Sequence, residues 1–491
     1  MNDKTNDAPS APSGTIIRAE NGDILRFDST GMVMVLSDQV IDDIARRLPD
    51  PTPKDPQAYE WIDPGVLGDV DAWDLRRDGE WYVFNANLPG LQGPRQFRRL
   101  AEPDDAESEP GIIADGAGPL CGVFSLGGAR RATGFDVPLD FPWHVLAPAD
   151  DLGAVGHAGV ETAKMQTALE TLREMTRDAA LADALVRRRH SAHKALPLFV
   201  ARTETDTAAS ISELATGPAY DNLLTAIRSL KACAGRLGRP ASLHALGLDY
   251  TLEDVRSDGT TYRNGVFDLI ARLTADIARL GLRCPPILSI FDCGTHRIND
   301  HPVLRAQWEL AWQGPEHGLH FTAPGYMFRQ DRFGRPDKDA LHQMAEMDAC
   351  ALTALQGAKD WTCPVFLLAE TEPDRKKIRV RARALSDLVI DAADPFGAGD
   401  ACGFSLRGAT NDPQLLSVTI AEDDPQDAIL TFDKPPKGED LEILYAFGLS
   451  ADRDEVDYPS ACGALRDDWT HKSSTGSVLH RWALPAVLPV W

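Results

Sequence analysis

The sequence lacks several features that would set a protein apart from the ordinary globular class. None of its eight cysteines stands in a CxxC pair, so neither a zinc site nor a disulfide framework is indicated. No apolar run approaches the roughly 20 residues that a membrane-spanning helix needs, so we expect no membrane span. Residues 1–15 are polar and contain no apolar segment of the secretory kind, so we expect no Sec export.

Positive charge is also scarce. The chain has 50 Lys and Arg residues against 74 Asp and Glu residues, which gives a formal net charge of −24. A field of this sign repels phosphate backbones, so naked nucleic acid is not an expected partner. Hydrophobic residues make up 43% of the 491 positions, which is enough for about three folded domains of roughly 150 residues each.

The hydrophobic pattern predicts a multidomain protein of α/β plus β class. Residues 1–14 are expected to form a disordered leader. Over 15–36, alternating apolar and polar residues with turn signals predict a small β-meander, and the β-rich pattern continues to about residue 100. An acidic, proline-containing stretch at 101–110 marks a predicted boundary, so 15–110 forms the predicted N-terminal β-rich module.

Residues 111–372 are predicted to form a three-layer α/β domain with a parallel sheet. Short apolar runs predict strands at 196–201, 242–248, 286–291 and 318–321. Three- and four-residue apolar spacing predicts helices that include 160–177, 220–237, 261–280, 301–312 and 341–355.

Residues 373–491 are predicted to form a C-terminal β-sandwich. The helical period is lost from residue 376 onward. Short apolar runs between Asp, Pro and Gly turns predict strands at 378–383, 415–420, 428–432 and 441–446.

Ser125 is the candidate nucleophile. It follows the apolar run at 120–124 and precedes Gly127 and Gly128. A serine hydrolase needs a hydroxyl at a tight turn with bare backbone N–H groups beside it to bind an oxyanion. The same residues also fit an ordinary serine at the point where a strand meets a turn.

Asp339 and His342 are the candidate partners of Ser125. Three residues apart on one helical turn, the carboxylate of Asp339 can orient an imidazole that deprotonates the serine. The alternative is that Asp339 is a first-turn residue of the helix predicted at 341–355, where negative charge suits the helix dipole.

Three other groups of residues fit either a binding site or an ordinary structural role. The basic run 187–189, flanked by His190 and His193, fits an acidic sugar or a phosphate, but it also fits a solvated helix end. Asp292, Cys293 and His296 have no second pair at ligand spacing, so we predict a loop and no metal. The glycine-rich segment 396–403 precedes a strand instead of a lysine and a helix, so it is predicted to be a loop, and no cofactor is expected.

The order of the pieces from about residue 118 to 355 resembles a phage-type subgroup of the SGNH (GDSL-like) hydrolases related to sialate O-acetylesterases. The matching blocks are Val123-Phe124-Ser125-Leu126-Gly127, Val160-Glu161-Thr162-Ala163, the stretch 196–214, Gly247-Leu248-Asp249 and the Asp339/His342 block. The tail resembles the sandwich that follows this domain in phage and gene transfer agent virion proteins, through residues 463–468 and 479–485. The resemblance implies an SGNH-like fold with Ser125, His342 and Asp339 in the places of a triad.

The chain departs from the family pattern at several of these blocks. Val123 and Phe124 replace a Gly-Gln pair, and Ala208 and Ala209 stand where glycines are expected. A second register of the last block puts Arg335 in place of the histidine, and an arginine cannot act as a general base. Because the members of a catalytic unit work together, these losses favour a degenerate, non-catalytic domain.

The resemblance implies a structural and adhesive component of a phage-like particle, either a head spike or another surface protein of a gene transfer agent or tailed phage. Residues 15–110 are expected to dock on capsid or other particle proteins. Further copies of the chain and host polysaccharide are the other expected partners, at a virion surface assembled in the bacterial cytoplasm. Two alternatives stay open: an active carbohydrate O-acetylesterase that uses Ser125, His342 and Asp339, and a sugar-binding protein free of any particle.

Overall fold

Two units make up the chain, Met1–Asp63 and Pro64–Trp491. The computed structural model describes residues 14–18, 24–28, 31–35, 62–102, 111–149, 153–158, 169–295, 298–448 and 461–491. In the first unit, three strands form an antiparallel sheet in chain order: β1 (Gly14–Arg18), β2 (Ile24–Asp28) and β3 (Gly31–Val35). This sheet confirms the β-meander predicted over 15–36.

The second unit opens with a four-stranded antiparallel sheet. Its strands pair in chain order: β4 (Ala72–Asp78), β5 (Trp81–Ala86), β6 (Arg95–Leu100) and β7 (Ile112–Ala114). Phe84 and Phe97 are fully buried and belong to the same hydrophobic core as Leu120 and Leu198 of the next sheet. The β-rich pattern predicted up to about residue 100 is thus present, and these strands share a core with the α/β part.

An eight-stranded sheet that is mostly parallel forms the centre of the described structure. Its strands are β8 (Leu120–Gly127), β9 (Val145–Pro148), β10 (Val155–His157), β11 (Leu169–Thr171), β12 (Leu198–Thr205), β13 (Ala241–Asp249), β14 (Ile287–Phe291) and β15 (Leu319–Pro324). Their spatial order is β11-β9-β12-β8-β13-β14-β15, with β10 paired to β12. Only β11 runs antiparallel to its neighbour among these described strands. The parallel sheet and its four predicted strands are confirmed, with shifted ends.

Six α-helices of the described residues cover or flank this sheet. They are α1 (Arg177–Ser191), α2 (Ile211–Leu214), α3 (Pro218–Arg236), α4 (Gly259–Arg279), α5 (Pro302–Gln313) and α6 (Lys338–Gln356). Side chains cap several of them; Asp258 accepts from Thr261 N before α4, and Asp337 accepts from Ala340 N before α6. The predictions at 220–237, 261–280, 301–312 and 341–355 are therefore confirmed.

The helix predicted at 160–177 is wrong over its described part. Leu169–Thr171 is strand β11, which pairs with the edge strand β9. The helix that follows begins only at Arg177, because the side chain of Thr176 caps it by accepting from Ala179 N. Residues 159–168 lie outside the described part of the chain.

The C-terminal part holds three antiparallel sheets, ordered β16-β17-β21-β20, β18-β23-β24 and β19-β22-β25. Their strands are β16 (Val365–Thr371), β17 (Lys377–Arg383), β18 (Leu388–Ile390), β19 (Phe404–Arg407), β20 (Leu415–Ile420), β21 (Asp427–Phe432), β22 (Glu442–Tyr445), β23 (Leu465–Lys472), β24 (Val478–Trp482) and β25 (Ala486–Pro489). All four strands predicted here are present. The glycine-rich segment 396–403 is a loop that leads into β19, as predicted, and Gly403 adopts a φ of 90°.

The α/β part and the C-terminal strands share a second hydrophobic core. Tyr326 and Met347 come from the α/β part, and Phe366 and Tyr445 come from the C-terminal strands. The hydroxyl of Tyr326 donates to Ala483 O at 2.7 Å. Of the helices that the structure describes, none combines the length and apolar character that a bilayer crossing requires.

Gly122, in the middle of β8, gives a test of the central packing. A Cβ at this position would lie 2.7 Å from Phe124 Cε2 and 2.8 Å from Leu230 Cδ2. We expect Gly122→Ala to lower the free energy of unfolding by about 1–3 kcal/mol, since overpacking a core forces side chains and backbone to move. Urea unfolding measures the change.

Gly235, on the exposed side of α3, supplies the matched control. Nothing lies within 4 Å of a Cβ built there. We expect Gly235→Ala to raise the stability by about 0.5–1 kcal/mol through the helix propensity of alanine. Equal effects at both positions would contradict the tight packing around β8.

Candidate functional site

The carboxyl ends of β8, β13 and β14 surround an open pocket of about 560 Å³. Strand β8 lies between β12 and β13. The strands β9, β11 and β12 lie on one side of β8 within the sheet, and β13, β14 and β15 lie on the other. Open α/β sheets bind ligands at such a switch point, beyond the carboxyl ends of the strands. The pocket is lined by Arg130, Arg131, Arg177, Asp249, Thr251, Ile290, Asp292, Gly325, Gln330, Gly334, Pro336, Leu341 and Met344.

Two arginines and three aspartates form an ion-pair network at the base of this pocket. Arg131 binds Asp178 and lies 2.6 Å from Asp249. Arg177 lies 2.7 Å from Asp249 and donates two hydrogen bonds, of 2.7 and 2.8 Å, to Asp348. We call these five residues the carboxyl-edge network.

The five members of the carboxyl-edge network come from four parts of the structure. Arg131 lies in the loop after β8, and Asp249 is the last residue of β13. Arg177 and Asp178 open α1, whereas Asp348 lies in the middle of α6. The network therefore ties the end of the sheet to the helices on it.

Burial and the two arginines have opposite effects on the pKa values of Asp249 and Asp348. Burial alone would raise the pKa of Asp249, but the facing Arg177 and Arg131 guanidinium groups outweigh it and hold the pKa at about 2. For Asp348, burial prevails over the same two arginines, so its pKa lies above its ordinary value. Asp249 is thus a fixed anion at neutral pH.

Hydroxyl groups complete the hydrogen bonding of the three aspartates. Ser125 and Thr203 both donate to Asp178 Oδ2, the latter at 2.5 Å. Thr322 donates to Asp348 at 2.7 Å, and Ser289 donates to Asp249 at 3.1 Å. Buried carboxylates need such donors, so these hydroxyl groups serve the network.

Ser125, the candidate nucleophile, lies inside β8. Its side chain is fully buried and its hydroxyl donates to Asp178. In the described part of the chain, no hydrogen bond joins Ser125 to His342. The expectation of a serine at a tight turn is therefore not met, because β8 continues to Gly127.

Asp339 and His342 lie near the start of α6. Asp339 is exposed and His342 is half-buried. Burial lowers the pKa of His342, with a contribution from Arg187, while Asp339 and Glu346 act in the opposite sense. The structure thus brings Asp339 and His342 close to each other but does not connect them to Ser125 by a hydrogen bond within the described residues.

Arg130 and its ion-pair partner Asp292 also line the pocket. Arg130 lies 2.6 Å from Asp292 and 3.2 Å from Glu253. Asp292 is therefore an ion-pair partner, and Cys293 beside it is buried, which raises the pKa of its thiol. His296 lies outside the described residues, and within them no group of three His, Cys, Asp or Glu side chains is placed to hold a metal ion.

A short loop at the pocket mouth presents an aromatic ring. Gln330 and Pro336 form a β-bridge at its base, and the Asp331 carboxylate accepts hydrogen bonds from Phe333 N and Arg335 N at 2.8 and 2.9 Å. The Phe333 side chain at its tip is 52% exposed, with the Arg332 guanidinium 4.8 Å from the ring centroid. Gly334 and Pro336 of this loop line the pocket, and Phe333 directly precedes Gly334 in the chain.

The basic run 187–189 lies at the other end of α1, away from this pocket. Arg187 pairs with Asp140 at 2.5 Å and with Asp183 at 3.4 Å. His190 and His193 are exposed. The run is thus a helix end, and its two other arginines line a separate pocket.

The sequence reasoning missed the carboxyl-edge network. One signal was available: Asp249 directly follows the apolar run at 245–248, and a charge there falls at the carboxyl end of a buried strand. Arg131, three residues beyond the Gly127-Gly128 pair, gives a similar signal. Neither position indicates which opposite charge it meets.

Comparison with known proteins gives remote likenesses to solved structures. No family model matches the chain, and no curated protein matches it. A solved structure of a carbohydrate acetylesterase from Xanthomonas citri is 14% identical, covering 79% of this chain and 85% of its own, with a TM-score of 0.45. The N-terminal part of a bacterial S-layer protein is 11% identical, covering 44% and 47%, with a TM-score of 0.14. Values this low do not establish a shared fold or activity.

The depressed pKa of Asp249 predicts how stability changes in acid. The folded-state pKa of about 2 lies below the ordinary value of 3.8, so the carboxylate stabilises the fold above pH 3.8 and loses this effect as the pH falls toward 2. We expect about 2 kcal/mol of stability to depend on this group. Asp249→Asn should lower stability at pH 7 and flatten its change between pH 4 and 2.

Urea unfolding at several pH values measures this effect. Asp268→Asn, at an exposed position of α4, is the matched control and should leave the acid profile of the wild type unchanged. An Asp249→Asn profile as steep as that of the wild type would contradict the assignment.

Proposed function

We propose that this protein is a non-catalytic surface component of a phage-like particle, of the head-spike kind found on a gene transfer agent or tailed phage. In this proposal the α/β part is a degenerate SGNH-like domain, the C-terminal strands form a β-sandwich, and the carboxyl-edge pocket binds a unit of host polysaccharide. The order of the sequence blocks supports the particle role. The contacts of Ser125 support the absence of catalysis.

The hydrogen bond from Ser125 to Asp178 is the observation that carries the non-catalytic role. A serine nucleophile must give its proton to a base that can hold it. Asp178 already binds the Arg131 guanidinium and also accepts a hydrogen bond from the Thr203 hydroxyl, so this carboxylate is engaged by other partners. The serine is also enclosed in β8, so a substrate carbonyl has no route to its oxygen.

The pocket offers what a neutral sugar needs. Sugar hydroxyl groups both donate and accept, and the pocket wall presents the carboxylates of Asp249 and Asp292 together with the guanidinium of Arg177. Because each of these charges already faces an opposite one, the wall favours a polar ligand without net charge. The exposed Phe333 ring at the mouth gives the apolar face of a sugar a surface to pack on.

The proposed particle role also specifies what the protein binds and where it lies. In the proposal, residues 15–110 dock on capsid or other particle proteins, and several copies assemble with cyclic symmetry. Assembly takes place in the bacterial cytoplasm, and the mature protein lies on the virion surface. The resemblance of the tail, at 463–468 and 479–485, to virion sandwiches supports this part.

An esterase assay tests the absence of catalysis. We expect the wild type, Ser125→Ala and His342→Ala to hydrolyse p-nitrophenyl acetate at the same background rate, because Ser125 has no base. A working triad would instead lose activity on the order of 10⁶-fold when its serine is removed. Turnover that both substitutions abolish, with melting temperatures unchanged, would support the alternative of a carbohydrate O-acetylesterase.

A particle experiment tests the rest of the proposal. We expect mass spectrometry to find the wild type and Phe333→Ala at equal, low copy number in purified particles. Adsorption to host cells should fall about tenfold for Phe333→Ala, since a loss of about 1 kcal/mol per contact is multiplied over several copies. Phe333→Tyr is the matched control and should adsorb like the wild type. Absence from particles, with a monomer in solution, would indicate a free sugar-binding protein.

A further inference from the structure

A second pocket, of about 1320 Å³, lies at the opposite edge of the central sheet. It forms where the residues that precede β8 and β12 meet the last turns of α1 and α6. Arg188, Arg189 and Lys194 contribute positive charge to it, and Cys121, Phe199 and His244 lie deeper. We call it the amino-edge pocket.

The three cations of the amino-edge pocket have no carboxylate partner within the described residues. Arg188 donates to Ala349 O at 2.9 Å, to Thr353 Oγ1 at 2.7 Å and to the buried Cys350 thiol at 2.7 Å, and all three acceptors are neutral. Arg189 donates to Ala195 O at 2.8 Å. The Lys194 side chain is exposed. No Asp or Glu lines this pocket, although the chain carries a net charge of −24.

The helix ends do not cancel this positive charge. Two helices, α1 and α6, end here, and each C-terminus carries about −0.5 of an elementary charge. Together they offset about one of the three positive charges. The negative end of α1 is also partly neutralised within the chain. Ala192 N and His193 N donate to carbonyl groups of its last turn at 3.1 and 2.9 Å. A net positive charge therefore remains for a ligand.

A β-bulge shapes the floor of the amino-edge pocket. His244 is the extra residue of β13, since Leu243 pairs with Gly122 and Ala245 pairs with Val123. Its ring meets Phe199 edge-on, with the centroids 5.3 Å apart. His244 Nδ1 is buried and has no partner in the described part of the chain. The floor thus presents the rings of Phe199 and His244 to a ligand.

We propose that the amino-edge pocket binds a small organic anion through a phosphate or carboxylate group. Arg188, Arg189 and Lys194 hold the anionic group, and the body of the ligand packs against Phe199 and His244. A sugar phosphate and a uronate have this chemistry. The inference is independent of the proposed function, because the carboxyl-edge pocket lies at the other end of the strands and its charges are paired.

Calorimetric titration of the full-length protein tests the proposal. The probes are glucose 6-phosphate, glucuronate, inorganic phosphate and glucose at fixed ionic strength. We expect glucose 6-phosphate or glucuronate to bind, more weakly as salt is added, and glucose not to bind. The stronger of the two identifies the anionic group as phosphate or carboxylate. Inorganic phosphate should bind less tightly than glucose 6-phosphate, and equal affinity would overturn the role of the floor.

Charge-removing variants make the test specific to this pocket. Arg189→Gln combined with Lys194→Gln should raise Kd about tenfold or more, because two of the three cations are lost. Lys434→Gln, at an exposed position between β21 and β22, is the matched control and should bind like the wild type. Melting temperatures verify that all the variants are folded.

Three results would overturn the assignment. They are the absence of binding by either organic anion at millimolar concentration, unchanged binding by the double variant, and glucose binding as tight as that of glucose 6-phosphate. Each leaves the esterase and particle results unaffected, so failure here is distinguishable from failure of the proposed function.

Discussion

The pairing of Arg131 and Arg177 with three aspartates is the interaction on which the carboxyl edge of the sheet depends. Removing one partner of a buried ion pair leaves an uncompensated charge, which costs about 3–5 kcal/mol. The five residues reach this edge from the loop after β8, from β13, from α1 and from α6, so their pairs connect these four parts of the chain. The same pairing occupies Asp178, the acceptor of the Ser125 proton. Asp178 therefore belongs both to the ion-pair network and to the surroundings of the Ser125 hydroxyl.

The two ends of α1 carry arginines in contrasting states. At its first turn, Arg177 is bound by two aspartates in a buried network. At its last turn, Arg188 and Arg189 meet only neutral acceptors among the described residues. A helix of 15 residues spans about 22 Å, so the two pockets lie far apart on one rigid element. One end of α1 therefore carries charge paired with aspartates, and the other carries positive charge that meets no carboxylate among the described residues.

Local pattern predicted most of the α/β layer because strands and helices bury their apolar residues at fixed spacing. The spacing located β12 to β15 and α3 to α6, but not β11, whose three residues form a strand only because β9 lies beside them. The carboxyl-edge network could not be predicted from the sequence for a related reason. Its partners lie 47, 72 and 171 residues apart, and no local pattern selects one distant aspartate over another. The candidate Ser125 was found, but its acceptor was not.

The core shared by the α/β part and the C-terminal strands has a consequence for how the chain is divided. Tyr326 and Met347 pack with Phe366 and Tyr445, and Tyr326 reaches Ala483 across this seam. A fragment that ends near residue 372 would expose Tyr326, Met347 and Phe366 to water and leave the Tyr326 hydroxyl without its acceptor. The tail therefore acts as a structural complement of the part before it. Natural exchange of tails between related chains would have to preserve both sides of this seam.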